Sequence, residues 1–206
     1  MIKPTIGIPI IGLSGIWLLS KRKWAGLSGM GVTFGILMGA AFTVNPHWIS
    51  AFLSVGDEMV STTFGYHPTL WGLASLACGW EYPCNMLVGW LACLSVVGLG
   101  FVLALHPTSA KNPLLILGIS APIALLIPPY LWAYDYILLG APILIVNGAL
   151  IRRGMPFMLS AVFFLLIDIC ALILLYLATR LSFDILTALL ALSLIVLMLV
   201  HRYQEN

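Results

Sequence analysis

The sequence predicts an all-α integral membrane protein. The expected architecture is a polytopic helical bundle of about seven transmembrane helices, plus a short interfacial helix at 69–80, in a single transmembrane domain over 1–206. Three observations predict it. Hydrophobic residues make up 62% of the chain and charged residues only 8%, against roughly 25% charged in an ordinary soluble domain. The mean hydropathy is +1.10. Apolar runs near bilayer length recur from end to end. A soluble fold of 206 residues could not hide that much apolar surface with so few charges outside. The net charge of +2, from nine basic and seven acidic residues, also excludes a phosphate-tracking nucleic-acid surface.

The predicted spans are 5–20, 24–44, 84–105, 114–128, 136–151, 155–178 and 183–201. The first ends in Lys21-Arg22-Lys23 rather than at a small-residue cleavage site, so it reads as a span and not as a signal peptide. The second carries Gly31, Gly35 and Gly39 at four-residue spacing, a face expected to pack tightly within the molecule. The stretch 69–80 is too short to cross, and its Trp71 and Trp80 suit the headgroup level. Pro128-Pro129 closes the span at 114–128. Pro122 and Pro142 are of a kind that membrane helices tolerate. A 16-residue span is only about 24 Å long, so the shorter ones rely on local thinning or polar flanks.

Charge sets the orientation. With seven spans and the N-terminus outside, the cytoplasmic connections hold Lys21, Arg22, Lys23, Lys111, Arg152, Arg153 and Arg202. Only Lys3 and Arg180 remain outside. This positive-inside asymmetry predicts a multi-pass protein of the cytoplasmic membrane, N-terminus out and C-terminus in. The outer connections then carry most residues capable of chemistry: His47, Asp57, Glu58, His67, Glu81, Tyr130, Trp132, Tyr134 and Asp135.

Other candidates are weaker. Cys93 and Cys170 lie in apolar runs and read as small buried hydrophobes. Cys78 and Cys84 flank a short loop; unbridged thiols are expected, a disulfide being the alternative on an oxidising face. His47 and His67 lack metal-ligand spacing. Asp57-Glu58 could hold a divalent cation, although a solvated acidic turn is the plainer reading, so no cofactor is expected. Asp168 is a carboxylate in mid-span, suited to function or to a helix-to-helix hydrogen bond. Arg180 and Asp184 are spaced to pair on one helix. His106 and His201 fall at the cytoplasmic edge.

The segment 127–142 is the most informative. Tyr130, Trp132, Tyr134 and Tyr136 surround Asp135 after the proline pair. Two readings fit the residues: an aromatic belt, or a site where aromatic faces pack on a sugar and the carboxylate accepts its hydroxyls.

The run Pro129-Tyr130-Leu131-Trp132-Ala133-Tyr134-Asp135-Tyr136-Ile137-Leu138-Leu139-Gly140-Ala141-Pro142 resembles the signature in the C-terminal half of glycosyltransferase family 87. These are GT-C-type, polyprenyl-phosphate-sugar-dependent, mannosyltransferase-like membrane enzymes. Lys3-Pro4, the Lys21-Arg22-Lys23-Trp24 turn and Pro46-His47-Trp48 are similar to elements that precede that signature. Ala133 stands where many members have Asp, and Pro128 where many have Ser. The resemblance implies hexosyl or mannosyl transfer on the outer face, from a polyprenyl-phosphate-linked sugar to a lipid or glycan acceptor. It implies substrate contacts from Lys3, Tyr130, Trp132, Tyr134, Asp135 and His67, with Lys3 at the donor phosphate and Asp135 in binding. Family members place the catalytic carboxylate in a first outer loop N-terminal to the region of likeness. The expectation is therefore a chain inactive alone, its missing half encoded upstream or held by a partner subunit. The alternative is a non-catalytic lipid-binding, transport or assembly subunit.

Overall fold

A computed structural model describes residues 4–54, 69–79, 81–105, 113–129, 131 and 133–152, with scattered positions between 154 and 198. The protein is helical, with no strand among the described residues. The helices are α1 (Pro4–Ser20), α2 (Trp24–Val44), α3 (Leu70–Ala77), α4 (Cys84–Leu105), α5 (Pro113–Leu126) and α6 (Gly140–Arg152). A 3-10 segment over Ala133–Leu139 leads into α6.

Helices α2 and α4 are long and apolar enough to cross a membrane. The predicted spans 5–20, 114–128 and 136–151 are shorter apolar helices. The last of these differs from expectation at its start. Residues 133–139 form the tighter 3-10 coil, and the α-helix begins only at Gly140. Pro142 falls in the first turn of α6, where its missing N–H is no loss. The spans predicted at 155–178 and 183–201 lie mostly outside the described residues. Within the second, Ala191, Ile195 and Met198 are buried in the main core at helical spacing.

Packing defines two ends of the bundle. At one, Ile6 of α1 meets Ala124 and Leu125 of α5, with Leu131 and Leu139. At the other, Trp17 of α1 meets Ala104 of α4 and Ile116 of α5. So α1 and α4 run one way and α5 runs back between them. The middle is filled by Leu13, Cys93, Leu103, Ile119 and Ile123. Gly100 of α4 permits this close approach, since a Cβ there would lie 2.7 Å from Ile123 Cδ1.

The α1–α2 connection is a Schellman turn. Lys23 N–H donates to Leu18 C=O (2.9 Å) and Arg22 N–H to Leu19 C=O (3.0 Å). Arg22 takes the left-handed position, φ 51°. Glycine adopts that conformation freely, whereas an L-residue there costs roughly 1–2 kcal/mol. The Lys23 ammonium sits 4.7 Å from the centre of the Trp17 ring.

Two further features bear on the expectations. Among the described residues nothing packs on the glycine face of α2: none approaches Gly29, Gly31, Gly35 or Gly39, and none covers an α2 residue enough to bury it. Cys78 and Cys84 are not free thiols but form a disulfide, with Cα atoms 5.7 Å apart. Cys93 is buried as expected, and Cys170 lies outside the described residues.

Candidate functional site

The first of the two ends gathers the polar chemistry. α3 folds back on α4 as an antiparallel hairpin closed by the Cys78–Cys84 bond. Its position follows from one large side chain. Trp71 lies against Gly89, so closely that a Cβ there would be 2.5 Å from the ring. Its edge meets Trp90 at 5.2 Å between ring centres. Its indole N–H donates to the carbonyl of Ile127 at 2.7 Å. Cys93 Sγ lies 3.9 Å from the same oxygen.

That bond has a local cause. Helix α5 ends ahead of Pro128-Pro129, so the Ile127 carbonyl has no following helical turn to supply its donor. An indole from 56 residues away supplies a donor at the bared end. Trp71, expected at the headgroup level, is a core residue, only 6% exposed. Trp80 lies outside the described residues.

The hairpin carries two buried polar residues. Ser75 lies one turn beyond Trp71 on α3, and Asn85 one turn before Gly89 on α4. Both are buried, and among the described residues neither Ser75 Oγ nor Asn85 Oδ1 has a hydrogen-bond partner. Thr69 Oγ1, at the start of α3, and Thr5 Oγ1, in the first turn of α1, share that condition. An unmet buried polar atom costs about 1–3 kcal/mol, and four of them gather at this end of the bundle. Sequence reasoning missed all four. The legible signal was Ser75 and Asn85, each one helical turn from a large or small packing residue inside an apolar run.

Asp135 stands at this end as well. It lies in the 3-10 segment, 5% exposed. The flanking Leu131 and Leu139 are packed against Ile6, Ala124 and Leu125. Of the other sequence-predicted site residues, Tyr134 shares the 3-10 segment by its backbone. Lys3, His67, Tyr130 and Trp132 lie outside the described residues, as do Asp57, Glu58, His106, Asp168, Arg180, Asp184 and His201. Glu81 is exposed in the loop beside the disulfide, its N–H bonded to the Cys78 carbonyl. His47 is exposed after α2, where its N–H takes the Asn45 side-chain oxygen at 3.0 Å. Among the described residues, no three His, Cys, Asp or Glu side chains converge as a metal site.

The fold and this end define an all-helical protein with two helices fit to cross a membrane. No family model, characterised protein or solved structure matches the chain.

Proposed function

We propose that the chain is a multi-pass membrane protein whose Asp135 end faces outward and holds a polyprenyl-phosphate-linked sugar, serving hexosyl or mannosyl transfer. The observation that carries this reading is the buried Asp135 at the end where Thr5, Thr69, Ser75 and Asn85 leave polar atoms unmet. A sugar offers the hydroxyls that a carboxylate and such oxygens accept. The likeness of 129–142 to the family 87 signature supports the same ligand class.

The charge pattern supports the orientation. All four described cations, Lys21, Arg22, Lys23 and Arg152, sit at the opposite end, while the described carboxylates, Glu81 and Asp135, sit at this one. A disulfide here suits an oxidising compartment. Five further spans beyond α2 and α4 complete the proposed seven.

Asp135 would orient the sugar, and Lys3, next to the first residue of α1, would meet the donor phosphate. We assign no catalytic base. Because the described site holds one buried carboxylate, a second reading stands beside the first: a subunit that binds the lipid-linked sugar without cleaving it. Radiolabelled polyprenyl-phosphate hexose, offered to the reconstituted chain, separates the two. An enzyme with acceptor releases the lipid phosphate; a binder retains the donor intact. In either case Asp135→Asn should weaken retention about 10- to 100-fold, the loss of a hydrogen bond to a charged group. Retention unchanged by that substitution would remove Asp135 from the site.

A further inference from the structure

The turn between α1 and α2 contains an anomaly that the outer site does not explain. A Schellman turn places its left-handed residue where glycine fits best, and here that residue is Arg22. The neighbours are equally unusual. Lys21 and Lys23 flank it, and Arg22 and Lys23 are exposed. Trp24 follows, 62% exposed. Lys23 is held over the face of Trp17, so its charge stays close to the helix end. Among the described residues no carboxylate lies at this end, and none pairs with these cations. Among the described residues the concentration of positive charge is therefore uncompensated, and one member occupies a backbone position that disfavours it. Such strain persists where the side chain serves something beyond the turn.

We propose that Lys21-Arg22-Lys23-Trp24 is a binding site for the headgroup of an anionic phospholipid in the cytoplasmic leaflet. The guanidinium takes the phosphate through paired N–H donors. The two ammonium groups add charge, and the exposed indole lies at the depth where headgroup meets acyl chain. Arg152 at the end of α6 extends the positive field around the same end. This inference rests on the membrane reading but not on the glycosyl-transfer reading.

The experiment reconstitutes the full chain in vesicles and compares its selectivity for spin-labelled phosphatidylglycerol over phosphatidylcholine. Flotation with neutral vesicles first tests membrane insertion itself, so failure there is distinguishable from failure of the site. The wild type should prefer phosphatidylglycerol, and each of Lys21→Gln, Arg22→Gln and Lys23→Gln should reduce the preference about five-fold. Arg22→Gly is the decisive variant. It relieves the left-handed position, so thermal stability in neutral lipid should equal or exceed that of the wild type, while the preference falls. Equal preference in wild type and variants would overturn the proposal. So would a destabilised Arg22→Gly in neutral lipid, which would tie the arginine to the turn alone. Inorganic phosphate abolishing the preference at low millimolar concentration would reassign the site to a free anion.

Discussion

Helices α2 and α4 are nearly interchangeable on paper. They span 21 and 22 residues, both apolar and both rich in glycine. In the fold they are opposites. Gly89 of α4 receives the Trp71 ring, and Gly100 receives Ile123 and Leu13. The stripe Gly31, Gly35 and Gly39 of α2 meets no described residue. In α4 the space at each of these two glycines is taken by a bulky side chain that a neighbouring element delivers. Without a hydrophobic driving force between helices in lipid, that fit supplies much of the attraction.

Four substitutions can break or sharpen this contrast. Trp71→Ala removes the side chain that fills the α4 notch and leaves the Ile127 carbonyl without its indole donor. We expect a loss of about 3–5 kcal/mol in detergent unfolding; a loss under about 1 kcal/mol would show that the notch is not what holds α3. Gly89→Ala forces a methyl against a rigid ring and should cost up to about 3 kcal/mol by the same measurement. Cys84→Ser opens a bridge of sequence separation 6. A loop that short predicts a loss of about 2 kcal/mol, read as the difference between oxidised wild type and variant. Gly35→Ala, on the face of α2 that no described residue meets, should change stability by no more than about 0.5 kcal/mol. A loss well beyond that would reveal a partner packed on the stripe.

The sequence made some of this legible and hid the rest for a physical reason. The bounds of α2 and α4 could be read to the residue, because Lys23, Asn45 and Cys84 stand where long apolar runs begin or end. Composition and run length are local properties. The role of Trp71 was illegible because it depends on Gly89 and Ile127, which reach it only through tertiary structure. The same holds for Ser75 and Asn85, whose burial follows from the packing of α3 on α4. Asp135 was legible as a candidate, since a carboxylate among aromatics is conspicuous, but its burial was not. The 3-10 coil over 133–139 was missed because Leu138 and Leu139 continue the apolar run of α6 without a break in composition.

The hydrogen bond from Trp71 to Ile127 also fixes an order of assembly. Protein synthesis runs from the N-terminus, so the indole emerges 56 residues before the oxygen it caps. Helix α3 and the start of α4 are made while their receptor is still unwritten. Only when α5 has emerged and met its proline stop can Trp71 settle. The hairpin leaves the ribosome before α5 and reaches its final seat only after it.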